Sequence, residues 1–302
     1  MLRTILTIFL TLGFVWNVFA GNDAGMAFLK LPVDARSAAM GEAAAALAND
    51  ASAVYWNPAL LARNESKSLV LMHNAYLADI AQEFAAFQFA SGKHKMAVAL
   101  NLMNIPGIEI RGSVPTEKPA GATEAINLAA SFSYARALNN GWLVGLTAKY
   151  LYEKYYLEDA TGWAFDVGLV KNQFLRPDLD LGVTLQNLGR MKPLNVESTT
   201  LPIIMRAGLL YHTPLIMNEK RMLVSFDAVY PVYEEQVNFN GGVEVPVLKT
   251  LYLRSGLVFD WETLRYSGGF GLNYKNYRLN YAFSPYPYDL GNSHRFSLSW
   301  QF

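Results

Sequence analysis

The chain has 302 residues, with 25 basic and 25 acidic side chains and no cysteine. A zero net charge leaves no basic footprint for nucleic acid, and the lack of cysteine excludes disulfides, thiolate metal sites and cysteine nucleophiles. Aromatic residues make up 13% and charged residues only 17%, the latter low against about 25% in soluble domains, although aromatics also fill soluble cores.

In chain order, Arg3 precedes an apolar stretch from Ile5 to Val18, broken only by small or polar residues such as Thr7, Thr11 and Asn17. Val18-Phe19-Ala20 then places small residues where a signal peptidase reads them. Residues 1–20 are therefore read as a signal peptide, cut after Ala20. A retained anchor is the alternative, but the stretch falls short of the roughly 20 residues a spanning helix needs. No later apolar run reaches that length, so a membrane crossing must be made by strands.

Residues 21–66 form a separate unit. Ala38 to Ala48 is alanine-rich and reads as helix or compact coil, and Asn49-Asp50-Ala51-Ser52 as a helix end and turn. Tyr55-Trp56-Asn57-Pro58-Ala59 starts a second short helix, with Asn57 as N-cap and Pro58 at its first position. Small side chains let such a segment thread a barrel lumen as a plug; a periplasmic arm is the competing placement.

From Lys67 to Phe302 the period is two. Phe296, Leu298, Trp300 and Phe302 share one face, and Arg295, Ser297, Ser299 and Gln301 the other, the division that lipid on one side and a polar interior require. Similar alternation runs through Ile126 to Tyr134, Trp163 to Leu169, Leu179 to Leu185 and Tyr266 to Tyr274. The runs predict strands at 67–77, 83–90, 94–104, 125–137, 142–154, 161–171, 177–188, 203–212, 221–230, 237–246, 250–259, 264–275, 278–285 and 294–302. An open sheet edge has no hydrogen-bond partner in hydrocarbon, so the sheet must close. The expected fold is all-β, a transmembrane antiparallel barrel of about fourteen strands with an N-terminal luminal plug. A large soluble barrel or sandwich is the alternative. Connections 105–124, 155–160, 189–202 and 286–293 then fall on the outer side. Short turns such as Ser91-Gly92-Lys93, Asn139-Asn140-Gly141 and Asn276-Tyr277 fall on the inner side, with 213–220 a longer exception.

Phe28-Leu29-Lys30, Ala35-Arg36, Met40-Gly41, Ala48, Asp50-Ala51 and Tyr55-Trp56-Asn57-Pro58-Ala59 form an ordered set between Gly25 and Ala62. This set resembles the N-terminal signature of the PorV/PorQ family, which is related to long-chain fatty-acid transporters of the outer membrane. The resemblance implies a fourteen-stranded barrel with its N-terminal segment folded inside. For PorV-like members it further implies a place in type IX secretion, receiving the C-terminal domains of exported cargo. Leu31-Pro32-Val33-Asp34 and Glu42-Ala43 depart from the family pattern, which leaves the PorV-like or PorQ-like subtype open.

The chain carries no phosphate-cradling glycine loop, HExxH or nucleophile elbow, and His73, His94, His212 and His294 are scattered. No enzyme activity, cofactor or metal is expected. Attention falls instead on the plug: Arg36, Glu42, Asp50 and Asn57 are polar groups that a narrow lumen tolerates only when partnered. They act either as a latch, on wall residues such as Arg206, Asp166, Asp227 or Arg254, or as a moving gate. Tyr55 and Trp56 seal the plug or meet a hydrophobic ligand. Phe296, Leu298, Trp300 and Phe302 form a terminal strand of the kind that barrel assembly machinery recognises. The leading functional expectation is a secretion-associated barrel whose partners are secretion-system proteins and the C-terminal domains of cargo. A channel for hydrophobic small molecules is the second, framed by Leu102 to Ile108 and by Tyr286-Pro287-Tyr288, with a continuous apolar cavity. A structural or adhesive barrel is the third. All three place the chain in outer-membrane lipid, with no nucleic-acid partner.

Overall fold

A computed structural model describes residues 25–112, 117–194, 198–261, 263–288 and 290–302. The signal peptide read at residues 1–20 lies outside them. Fourteen antiparallel strands follow one another around a closed barrel. They are β1 (Ser68–Ala75), β2 (Ala81–Ser91), β3 (His94–Ile110), β4 (Gly121–Ala137), β5 (Trp142–Tyr155), β6 (Glu158–Lys171) and β7 (Leu179–Met191). The second half comprises β8 (Ile204–Met217), β9 (Lys220–Pro231), β10 (Asn238–Pro246), β11 (Leu251–Phe259), β12 (Leu264–Tyr274), β13 (Tyr277–Tyr286) and β14 (Gly291–Gln301). Closure pairs β1 with β14, Ser68 opposite Gln301 and Ala75 opposite His294. Beyond the ladder, the Lys67 and Phe302 main chains exchange two more hydrogen bonds, of 3.1 and 3.0 Å. No edge is left, as hydrocarbon demands.

Alternation decides which face meets lipid. Leu100, Phe132, Leu146, Trp163, Phe165, Phe226, Leu253, Leu257 and Leu298 point outward and are exposed, while inward neighbours such as Asn101, Ser133, Thr147, Asp166, Asp227, Arg254 and Ser297 are buried. The outside is therefore apolar, while the inside mixes polar side chains with apolar ones such as Val70, Met72, Phe84 and Leu143 that pack on the plug. Aromatic contacts ring the end where both barrel termini lie: Phe302 stacks on Phe87 and Trp300 on Tyr277.

Several strands run further than their alternation reaches. β3 and β4 continue to Ile110 and from Gly121, so the expected connection 105–124 shrinks to 111–120. The pattern is lost there because the register slips between Ile105 and Ile108, around Pro106 and a Gly107 with φ 73°. A bulge shifts side chains between faces without ending the ladder. The expected six-residue connection at 155–160 is a tight turn at Tyr156-Leu157. The expected exception at 213–220 also disappears: β8 bulges between His212 and Ile216, around Pro214, and turns at Asn218-Glu219. Both turn residues have positive φ, 51° and 67°, the backbone of a two-residue hairpin turn. One end of the barrel thus carries the chain termini and mostly short turns; the other carries the longer connections, 111–120 and 192–203 among them. We call these the turn end and the loop end.

Candidate functional site

The lumen is filled by the segment that precedes β1. Gly25 lies against Thr199 at the loop end, and at the turn end the Asn64 carbonyl accepts from Gln88 Nε2. The segment therefore threads the barrel from one end to the other, which rules out an external arm. It opens with a 3₁₀ turn, Ala27–Lys30. Helix α1 (Ala35–Ala39) follows, with Asp34 as N-cap accepting from the Ser37 N–H at 2.8 Å. Alanine favours helix intrinsically, yet of the two readings of Ala38 to Ala48, helix or compact coil, the second describes the chain beyond Ala39. Gly41 and Glu42 both take positive φ, 63° and 61°, and beyond them the chain continues as turns flat against the wall. A continued helix, about 10–12 Å across with its side chains, would not fit where the main chain already touches the sheet. Helix α2 (Ala53–Trp56) and a 3₁₀ turn, Pro58–Arg63, complete the plug, with Asn57 Oδ1 accepting from the Ala59 N–H at 3.1 Å.

Five inward-facing glycines on the wall seat this main chain. An added Cβ would stand 2.4 Å from Ala59 N at Gly145, 2.1 Å from Asn57 Oδ1 at Gly168 and 2.0 Å from Ala45 O at Gly182. It would stand 2.3 Å from Met40 O at Gly242 and 1.9 Å from Gly41 N at Gly256. At four of these seats the plug's main chain, and at Gly168 the Asn57 side chain, occupies the place a wall side chain would take. Glycine at lumen-facing positions of β5, β6, β7, β10 and β11 is the sequence signal for these seats, which apolar alternation alone does not reveal.

Polar contacts fix the plug in register. Arg36 donates from Nε and Nη2 to the two carboxylate oxygens of Glu244, at 2.8 and 2.9 Å, and Arg254 Nε reaches the same carboxylate at 2.6 Å. Of the wall residues expected to latch the plug, Arg206 donates to the Glu42 carbonyl at 2.9 Å. Asp227 accepts from the Ala44 and Ala45 N–H groups at 2.8 and 2.9 Å, and Arg254 contributes through Glu244. Asp166 instead pairs with Lys149 of the wall at 2.8 Å and accepts from the Asn187 N–H at 2.8 Å. The Glu42 carboxylate stands 3.7 Å from Arg265. Asp50 turns back on Ser52, accepting from its N–H at 3.0 Å and hydroxyl at 2.6 Å, and so caps a turn. Glu244 and Arg265 escaped the sequence reading because pairing across about 200 positions leaves no local pattern.

Tyr55, Trp56, Asn57 and Pro58 are brought together in the middle of the plug, all buried. Trp56 donates its indole N–H to Asp34 at 2.6 Å, the Arg206 guanidinium lies 5.2 Å from its ring, and Tyr55 packs edge-on against it at 4.9 Å. Tyr55 OH donates to the Leu29 carbonyl at 3.0 Å, and Gln186 Nε2 donates to the Tyr55 carbonyl. Asn57 Nδ2 donates to the Ala45 carbonyl at 2.8 Å. Phe296, Leu298, Trp300 and Phe302 stand on the outer wall, remote from the plug.

The loop end has two characters. On the β3–β7 side, Phe28 and Leu29 of the plug pack with Met103, Leu151, Met191 and Leu201, and Ile80 and Ile105 close over them. On the β8–β13 side a cavity of about 640 Å³ is lined by groups including Glu42, Arg206, Tyr233, Asn240, Arg265 and Tyr286. Among the described residues the apolar cluster at the loop end includes plug side chains, and the cavity beside it is lined mainly by polar groups, so neither forms the continuous apolar passage expected of a hydrophobic channel. Tyr286 lines that cavity and packs on Tyr76 at 5.4 Å; Tyr288 is exposed. The histidines are dispersed, each beside a different residue: Glu83, Tyr134, Asp180 and Tyr281. Among the described residues no group of three potential metal ligands stands together.

The fold and its site define a plugged, fourteen-stranded transmembrane barrel of the outer-membrane type. The model of an uncharacterised protein family, UPF0164, matches residues 20–160, the plug and the first strands. No curated protein matches the chain. Among solved structures it is similar to the toluene transporter TbuX of Ralstonia pickettii, with 14% identity, 90% of this chain and 98% of that one covered, and TM-score 0.60. The toluene transporter TodX of Pseudomonas putida gives 12% identity, coverage of 87% and 95%, and TM-score 0.64. The monoaromatic hydrocarbon channel CymD gives 14%, 89%, 97% and 0.59. These neighbours are hydrocarbon channels, not PorV/PorQ proteins, and they correct both the family expectation and the secretion role drawn from it. The physical reason lies in what the motif between Gly25 and Ala62 does: it caps, turns and seats a plug on a wall. A motif that specifies packing carries no information about cargo.

Proposed function

We propose that the protein is an outer-membrane channel for small hydrophobic molecules, exported by its signal peptide and closed by its N-terminal plug. The observation that carries this reading is the apolar contact of Phe28 and Leu29 with Met103, Leu151, Met191 and Leu201 at the loop end. It lies beside the place where β3 and β4 slip register between Ile105 and Ile108. An apolar ligand can take over these contacts at little cost, since one hydrocarbon surface replaces another, whereas a sugar or ion gains nothing there. The structural neighbours, toluene transporters and a monoaromatic hydrocarbon channel, support the same class. In this reading the loop end faces outward, in keeping with the longer loops on the outer side of such barrels, and the latch and glycine seats hold the gate shut without ligand.

The test is flux. Refolded protein in liposomes should speed the passage of a monoaromatic such as toluene and leave arabinose excluded. Phe28→Ala should change the toluene rate while the barrel stays folded. Equal acceleration of toluene and arabinose, or no acceleration of toluene, would overturn the reading.

A further inference from the structure

On the outer wall, one row sets an acid beside an imidazole among apolar and aromatic side chains. Following paired residues across the sheet, the lipid-facing row reads Tyr152, Leu128, Leu102, Glu83, His73, Phe296, Tyr281, Phe270 and Leu253. An acid and an imidazole stand at the centre of an otherwise apolar and aromatic row. His73 Nδ1 and Glu83 Oε1 are 2.6 Å apart, with both side chains about half exposed, 53% and 51%. Along their own strands the outward neighbours are Leu71 and Ala75 on β1, and Ala81 and Ala85 on β2. The pair thus has apolar wall on its sides and below, two residues from the loop-end terminus of β1, with Ala75, Ala81 and the outward-facing His294 above it.

We infer that this face is the contact surface for a second copy of the same chain. The pair satisfies half of each group. His73 Nε2 and Glu83 Oε2 have no partner among the described residues, and an imidazole protonated at both nitrogens donates from Nδ1 to the Glu83 of its own copy and from Nε2 to that of the other. A two-fold axis along the membrane normal, passing between β1 and β2, sets His73 of one copy opposite Glu83 of the other, and the reverse. Such a contact is isologous and self-complementary, and four groups of alternating character then share their remaining hydrogen bonds away from lipid. The wall is shaped for close approach: Ala85 sits in a recess of about 600 Å³ bordered by Leu71, Leu100, Leu102, Phe296 and Leu298. A bare pair in lipid gains nothing from this recess, whereas a second wall fills it. The inference stands independently of what the channel carries.

The absence of native cysteine makes the test direct. Ala85→Cys chains in native outer membranes, treated with a short bifunctional maleimide that spans the gap between two facing sheets, should form cross-linked dimers, whereas Phe226→Cys chains, on the opposite side of the wall, should not. Adding His73→Leu and Glu83→Leu to the Ala85→Cys chain makes the wall more apolar and should spare folding. It should nevertheless lower the dimer yield at least about tenfold, as loss of a complementary polar contact does. Exchanging the two residues, His73→Glu with Glu83→His, keeps the reciprocal pairing and should restore the yield. Monomeric Ala85→Cys protein, equal cross-linking at 85 and 226, or a yield unmoved by the double leucine variant would each overturn the inference, as would cross-links formed only to a different protein.

Discussion

Arg36 of the plug and Glu244 of β10 lie 208 positions apart in the chain and meet through two hydrogen bonds of 2.8 and 2.9 Å. Because Arg254 shares the same carboxylate, the three groups are unequal. Arg36→Ala leaves Glu244 still paired with Arg254. Glu244→Ala strands two guanidinium groups in the lumen. Breaking a buried pair costs about 3–5 kcal/mol, so Glu244→Ala should reach that range and Arg36→Ala fall below it. Urea unfolding of the refolded barrel gives the order, and planar-bilayer conductance should show the plug loosened in both. Equal losses would mean that the arginines act independently.

Gly168→Ala should disturb the gate without touching the lipid face. The added methyl would meet Asn57 Oδ1 at 2.1 Å, and overpacking of this kind costs about 1–3 kcal/mol. The heat-modifiable gel shift should persist while the plug becomes sensitive to protease. Gly241→Ala is the control, since nothing lies closer than 3.9 Å to its added Cβ. A protected plug in Gly168→Ala would contradict the seat.

On the terminal strand, neighbouring substitutions should fail in different ways. Leu298 faces lipid, and arginine there should cost roughly 2–4 kcal/mol and impair assembly. Ser297 faces the plug, its Oγ accepting from the Ala35 N–H at 3.2 Å, so arginine there should displace the plug and raise conductance in a barrel that still assembles. Deleting Phe302 removes at most about 1.5–3 kcal/mol of apolar burial and should slow assembly more than it weakens the finished barrel. Identical behaviour of the two arginine variants in gel shift and conductance would refute the assignment of faces.

Removing residues 25–62 should leave the strands able to close and open the lumen. Planar-bilayer conductance is the measurement, and a deletion barrel that conducts no more than the full chain would show that the segment is not the obstruction. N-terminal sequencing of protein from membranes should begin at Gly21 or within a few residues; a retained Met1 would remove the signal peptide from the account.

The strands were legible from residues such as Trp163, Phe165, Val167 and Leu169 set against Ala164, Asp166 and Gly168, because a strand's side-chain period is a local property. Closure followed from the same pattern, since hydrocarbon offers an open edge no partner. The sequence also marked residues 21–66 as a segment of different character from the wall. It could not supply Glu244 for Arg36, Gly168 for Asn57 or Arg265 for Glu42, because those pairs arise when the closed barrel brings distant strands around the plug. Nor could it tell that the helix begun at Ala35 stops at Ala39: local propensity favours alanine in a helix, while the room inside the finished wall decides how much helix fits. The family motif was visible and its packing role was not, since only the tertiary structure places its main chain on five glycines of the opposing sheet.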